Sequence, residues 1–226
     1  MSDNLVGLEK TTPYLAWGGK IKPKEIDQYV QYHVCHPGIS ASAVVAACAG
    51  TGVTGTVATA YLDYPRTLSF KYVDASGTTA ISTATVTGHD QFNQLVTEEM
   101  VFTQLGTGTT QGTQVFAHVG TVTFAGANRA SGDDQAIGYG NAGGTAMLGL
   151  PCKVDSAADV ISVNWIDNST AAKPGTCTID TNQHAAKMAV GTLSDQDDYI
   201  FLIRPTFDTN DDESCKGDNI NADYIS

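Results

Sequence analysis

Hydrophobic and polar residues alternate along short stretches of the chain from about residue 68 onward. Leu68, Phe70 and Tyr72 alternate with Ser69 and Lys71, which is typical of a strand with one buried face. The same pattern recurs at intervals down the chain. It predicts further strands at residues 79–87, 96–102, 115–124, 161–165, 177–179 and 199–203.

Turn-forming residues separate these runs. Residues 74–77 read Asp-Ala-Ser-Gly, and Gly77 can take the positive φ of a bulged hairpin. A second turn is predicted at 88–93, and the Gly- and Thr-rich residues 106–112 are predicted to be a loop. Short strands at regular spacing favour a sandwich or barrel over βαβ units. The sequence therefore predicts an all-β fold, an antiparallel β-sandwich or barrel of immunoglobulin-like or jelly-roll-like type.

The two ends of the chain differ from its middle. Residues 1–35 show little alternation and carry Pro13, Pro23 and a Gly-Gly pair, so we expect an extended N-terminal arm with room for a short helix near residues 24–32. Residues 207–226 are acidic and polar, which predicts a loose C-terminal tail. Between them we expect a main β-sandwich domain at 36–151 and an additional β subdomain at 152–206 packed on it or completing it.

Composition supports the β assignment. The 226 residues are 42% hydrophobic, which is enough for a packed core, but only 16% charged. Polarity comes instead from Thr, Ser, Asn and Gln, together with 23 glycines. Thr suits a pleated surface, and Gly and Asn suit turns, so helix bundles and coiled coils are disfavoured.

The net charge of the chain disfavours some classes of binding partner. Twelve basic residues face 24 acidic ones, for a net charge of −12 and a pI near 4.5. A surface of that sign repels phosphate backbones and anionic lipids, so we expect no nucleic-acid partner. No apolar run is long enough to span a bilayer, and the N-terminus shows no basic and apolar secretion signal. The sequence therefore predicts no membrane partner.

The cysteines and histidines are candidate metal ligands. Five scattered cysteines in a chain without a visible secretion signal predict free thiols. His33, Cys35 and His36 are close in sequence, but no second ligand pair follows, and neighbours on a strand point to opposite faces. The acidic run 208–212 lacks the Gly and Glu of a calcium loop, so a solvated tail is favoured. The carboxylates of residues 195–198 can hold a hard cation, but a polar turn is favoured there. We expect no metal and no cofactor.

No catalytic signature stands out. Residues 138–143 match G-x-G-x-x-G, but no helix of useful length can follow, so a turn is expected. Glu98 and Glu99 are adjacent on a predicted strand and therefore point to opposite faces, which excludes them as an acid–base pair. Trp165 is expected in the core; as an alternative, Trp17 and Trp165 can serve as sugar platforms of a glycan-cleaving enzyme.

An ordered series of short motifs covers about 40% of the chain, between residues 63 and 151. Its members are Asp63-Tyr64-Pro65-Arg66-Thr67-Leu68, Thr87-Gly88-His89-Asp90-Gln91-Phe92, Val96-Thr97-Glu98-Glu99, Val115-Phe116 with Val119 and Val122, Ile137-Gly138-Tyr139-Gly140, and Leu148-Gly149-Leu150-Pro151. The series resembles one found in virion structural proteins of tailed bacteriophages, in particular head decoration (cement) proteins.

This resemblance implies a non-enzymatic protein of the capsid surface, assembled in the host cytoplasm, with the major capsid protein as its partner and a homotrimer as its assembly. Tyr14, Leu15 and Trp17 would then anchor the arm on a neighbouring subunit, although they can also fold back on their own domain. The alternatives are a tail, spike or head-fibre accessory that binds a receptor or glycan, and a glycan-cleaving enzyme.

Overall fold

Alternating side chains produce an almost wholly β protein, as the sequence predicts. The computed structural model describes residues 30–35, 37–75, 77, 80–139, 146–166, 173–175, 177–188 and 198–204. Apart from one 3₁₀ turn at Ala157–Asp159, the regular elements in these residues are strands. They are β1 Val30–Cys35, β2 Ser40–Ala49, β3 Thr54–Gly55, β4 Tyr61–Val73, β5 Ala80–His89, β6 Leu95–Gln104, β7 Gly108–Ala127, β8 Asp134–Tyr139, β9 Leu148–Gly149, β10 Val160–Ile166, β11 Lys173–Gly175, β12 Cys177–Asp180, β13 Ala185–Met188 and β14 Asp198–Ile203.

The long strand β7 joins the two layers of the main sandwich. Its first half pairs with β4 and its second half pairs with β5, both antiparallel. The first layer continues from β4 through β8 to β2, and the second runs from β7 through β5 to β6. Phe70, Tyr72, Phe102, Phe116 and Phe124 lie in the core cluster between these layers.

A smaller sheet packs beside this sandwich. Its strand order is β1-β14-β10-β11, and its buried side chains form a second core with residues of β9 and β13. Val34, Phe201 and Ile203 are fully buried there. The last residues of the predicted arm, Val30–Cys35, are thus a strand that pairs with β14 of the predicted 152–206 subdomain.

Several local predictions are confirmed. Gly77 has a φ of 71°, and its N–H donates to the Asp74 carboxylate across the predicted turn. Glu98 is buried and Glu99 is exposed, as expected for neighbours on a strand.

Two strand predictions are wrong in detail. Residues 108–112, expected to be loop, begin β7, because they pair with residues 69–72 of β4. Alternation predicts that Ile161, Val163 and Trp165 share one face of their strand, but a bulge between Val160 and Ser162 leaves Ile161 exposed while Val163 is buried.

The expectation of free thiols is wrong for one cysteine. Cys152 is disulfide-bonded, whereas Cys35, Cys48 and Cys177 are free. Cys215 lies outside the described residues.

Candidate functional site

The predicted arm anchors Tyr14, Leu15 and Trp17 lie outside the described residues. The acidic run 208–212, His36 and the side chain of Trp165 lie outside them as well. The described part of the chain contains two candidate sites. One is a sheet face, and the other is a cluster of side chains.

The first is a sheet face with very little charge, which we call the threonine face. It is the outer side of β5, β6 and the second half of β7, opposite the main core. Among its outward side chains Glu99 alone is charged. The face consists of Ile81, Thr83, Thr85 and Thr87 on β5, Leu95, Thr97, Glu99, Val101 and Thr103 on β6, and Thr121, Thr123, Ala125 and Ala127 on β7.

Cross-strand pairing orders these threonines. Thr87 lies between Thr97 on β6 and Thr121 on β7, and the hydroxyls of Thr87 and Thr97 are 3.2 Å apart, within hydrogen-bond distance. β-branched side chains in such rows are stiff at χ1, so the face loses little conformational entropy when a partner covers it. The face is therefore preordered and nearly uncharged, on a chain with a net charge of −12.

A row of three rings lies at one end of the threonine face, with Tyr61 exposed and the imidazoles of His118 and His89 half-buried. Tyr61 of β4 packs on His118 of β7 with a centroid distance of 4.6 Å, and His118 lies 5.8 Å from His89 of β5. Leu95 of β6 pairs directly with His89. Tyr61 is 70% exposed and Leu95 72% exposed, so this row offers an apolar platform to solvent.

A buried carboxylate lies on the core side of β6, behind the threonine face. Glu98 points inward from β6 and accepts hydrogen bonds from the backbone N–H groups of Thr113 (2.5 Å) and Gln114 (3.2 Å) on β7. Burial raises the pKa of Glu98, and the hydrogen bonds from these two residues oppose that shift. A Cβ at Gly112 would collide with this carboxylate, which explains glycine there. Glu98 thus joins β6 to β7 where no backbone ladder connects them.

The second candidate site is a cluster of His33, Cys35 and Asp198. In the part of the chain that the structure describes, it is the one group of three His, Cys, Asp or Glu side chains placed closely enough to share a metal ion. The Cys35 sulfur lies 3.5 Å from Nε2 and 3.6 Å from Nδ1 of His33, and His33 Nε2 lies 3.6 Å from an Asp198 carboxylate oxygen.

Strand geometry explains this cluster. His33 and Cys35 are two residues apart on β1 and share its outer face, and Cys35 is the direct antiparallel partner of Asp198 on β14. The hydroxyl of Tyr64 also fixes the end of β1, because it accepts from the Cys35 N–H (2.8 Å) and donates to the Cys35 carbonyl (3.0 Å). The sequence gives no signal that Cys35 and residues 195–198 are neighbours, because the two segments are far apart along the chain and meet only through the pairing of β1 with β14.

The cluster is poorly arranged for nucleophilic catalysis. Burial and the neighbouring Asp198 charge raise the pKa of the Cys35 thiol, whereas a reactive cysteine needs a lowered pKa. The sulfur is also almost equidistant from both ring nitrogens of His33, so neither nitrogen is singled out as its base. The cluster therefore lacks the arrangement of a Cys–His nucleophile pair.

An ion pair between buried Arg66 and partly exposed Asp63 fixes the segment after β1. Arg66 Nη2 donates to Asp63 Oδ2 at 2.7 Å, while its Nη1 donates to the carbonyl of Gly38 at 2.5 Å. The Arg66 guanidinium also lies over the ring of Tyr139, 4.7 Å from the centroid. These contacts hold the segment that follows β1 against β4 and β8.

In the described ranges, no helix combines the length and the apolar character needed to cross a membrane. A scan against protein-family models gives no match, and searches of the curated proteins and of the solved structures give no significant match. The resemblance to phage decoration proteins that the sequence motifs suggest therefore stays a prediction.

Proposed function

We propose that this protein is a non-enzymatic structural protein of a tailed-bacteriophage particle: a capsid decoration (cement) protein that bridges subunits of the major capsid protein. The observation that carries the proposal is the threonine face. Depletion of charge is the compositional mark of the centre of a protein–protein interface, and this face has a single charged side chain on an acidic molecule.

The rest of the surface suits the same role. A decoration protein covers a particle in many copies, and negative charge outside the contact face keeps such a particle soluble. Each contact with the lattice can be weak, because a symmetric array binds multivalently. The proposal includes a homotrimer at the capsid surface and arm contacts through Tyr14, Leu15 and Trp17.

The test is co-sedimentation of the purified full chain with capsids of its phage from which the protein has been stripped. The proposal predicts saturable binding with a fixed copy number per capsomer. Absence of capsid binding would contradict it.

One observation favours a second candidate, a tail, spike or head-fibre accessory that binds a receptor or glycan. The row of Tyr61, His118 and His89 can stack against the apolar face of a sugar ring. This candidate predicts binding to host cells or purified host glycans, lost in Tyr61→Ala, with no binding to stripped capsids.

A further inference from the structure

The end of β1 and the start of β14 lie side by side in the small sheet. His33 and Cys35 end β1, and Asp198 begins β14, the only described strand that pairs with β1. Antiparallel pairing sets Cys35 opposite Asp198, and the His33 side chain reaches both from two positions away. An imidazole, a thiol and a carboxylate therefore share one surface, although their segments are far apart in sequence.

The spacing of these groups matches that of ligands around one metal ion. Protein ligands lie about 2.0 to 2.3 Å from Zn²⁺, so the atoms of a tetrahedral set are about 3.3 to 3.8 Å from one another. The distances from His33 to Cys35 (3.5 Å) and to Asp198 (3.6 Å) fall in that range. All three ligand atoms lie within 4.8 Å of one another, which is close enough for them to share one ion.

The donor types select the class of metal. Imidazole and thiolate are ligands of Zn²⁺ and of neighbouring late first-row metals, whereas Ca²⁺ and Mg²⁺ require oxygen ligands. Three protein ligands leave one tetrahedral position open. The side chains of His33 and Asp198 are 37% and 24% exposed, so an ion can enter from solvent.

We propose that His33, Cys35 and Asp198 form a binding site for Zn²⁺ or a similar late first-row divalent metal ion, with its fourth position open to water or to a group from a partner. The site lies on the small sheet and is independent of the proposed capsid function.

The structure also indicates what the metal would do. A bound ion would join β1 to β14 at the residue where β1 ends, and it would add to the two hydrogen bonds that Tyr64 makes to the Cys35 backbone. Because an ion that binds only the folded chain stabilises it by mass action, the melting temperature should rise with metal concentration. The metal would thus hold in place the strand that immediately follows residues 1–29.

The test uses the full chain without an affinity tag, purified with chelator and then dialysed. Isothermal titration with Zn²⁺ should give one saturable site per chain. Co²⁺ should give a thiolate-to-cobalt charge-transfer band in the near ultraviolet and the visible bands of a four-coordinate ion.

Cys35→Ser should abolish the charge-transfer band, and His33→Ala and Asp198→Asn should each weaken Zn²⁺ binding by more than about tenfold, since even outer-shell substitutions cost 10- to 100-fold. Cys48→Ser is the matched control, because Cys48 is also a free thiol and its sulfur contacts a backbone carbonyl outside the cluster. That variant should bind as the wild type does.

Each alternative result overturns the proposal. Absence of saturable Zn²⁺ binding by the wild type would exclude the site. Equal affinities in the wild type and Cys35→Ser would place any bound metal elsewhere. All variants should first be checked for the far-ultraviolet spectrum of a β protein, so that lost binding is not lost folding.

Discussion

Single carboxylates hold several strands of this protein together. Asp133 is fully buried at the end of β8 and accepts hydrogen bonds from the Tyr72 hydroxyl and from the N–H groups of Ala75 and Ala130. Burial and the hydrogen bond to Asp133 raise the pKa of Tyr72, so the phenol stays protonated and donates. The Asp133 carboxylate thus links β4 to the segment that follows it and to the turn before β8 through hydrogen bonds.

Asp133→Ala should therefore be strongly destabilising. It leaves one hydroxyl and two amides without their acceptor, and each buried polar group left unpaired costs about 1 to 3 kcal/mol. We expect a loss of about 3 kcal/mol or more in the free energy of unfolding, measured by denaturant titration. Asp134→Ala removes the same group from the next, exposed position and should be nearly neutral. Similar stabilities for the two variants would contradict this role of Asp133.

Glu98 should make stability depend on pH. Its pKa in the folded protein is raised from the ordinary value of 4.5 by burial, so the folded state holds this proton more tightly than the unfolded state does. The stabilisation that the proton provides is complete below the unfolded pKa and is lost as pH rises through the folded pKa. Glu98→Gln keeps an acceptor oxygen and cannot ionise.

The free energy of unfolding of the wild type should therefore fall, relative to that of Glu98→Gln, as the pH rises from about 4 to about 7. Glu99→Gln removes an equal charge from the outer face of the same strand and controls for the net charge of −12. Denaturant titrations of the three proteins across this range measure the effect. A pH dependence shared by both variants would show that it does not arise from the buried carboxylate.

At the scale of elements, β1 is the first strand in the part of the chain that the structure describes. Val30 and Val34 are buried against the small-sheet core, and all six residues of β1 pair with β14. Residues 1–29 lie before this strand and contain the predicted anchors Tyr14, Leu15 and Trp17. The boundary that matters for a truncation is therefore residue 30.

Deleting residues 1–29 keeps β1 and its pairing with β14, so the chain should still fold, while capsid binding should weaken. Deleting residues 1–35 should also cost roughly 3 to 6 kcal/mol of stability, because two buried valines are lost at about 1.5 to 3 kcal/mol each. Thermal melts and co-sedimentation of the two truncations measure these effects. Full capsid binding by the shorter deletion would show that the arm is not an anchor.

For the molecule as a whole, the local sequence pattern predicts many of the strands and turns, but it does not predict the two candidate sites. Alternation at residues 68–72 and the Asp74–Gly77 turn are short-range properties, and the structure confirms both. The bulge that turns Ile161 outward depends on pairing with β14, which no local pattern contains.

The candidate sites depend even more on long-range pairing. The metal cluster exists because β1 pairs with a strand near the other end of the chain, which sets Asp198 opposite Cys35. The threonine face requires three strands in one register, so that Thr87 lies between Thr97 and Thr121. Each of these residues is unexceptional in its own segment, and the chemistry arises only when the segments meet.

The most direct test of the proposed function places a charge on the threonine face. Thr97→Lys introduces a cation at an exposed position of that face, and Thr178→Lys makes the same change at an exposed position of β12, outside it. Both variants are compared with wild type by co-sedimentation with stripped capsids. We predict that Thr97→Lys loses binding by at least about tenfold, consistent with the cost of an unpaired charge in an interface, while Thr178→Lys binds as wild type. Equal binding by the two variants would contradict the assignment of the threonine face as the capsid-binding surface.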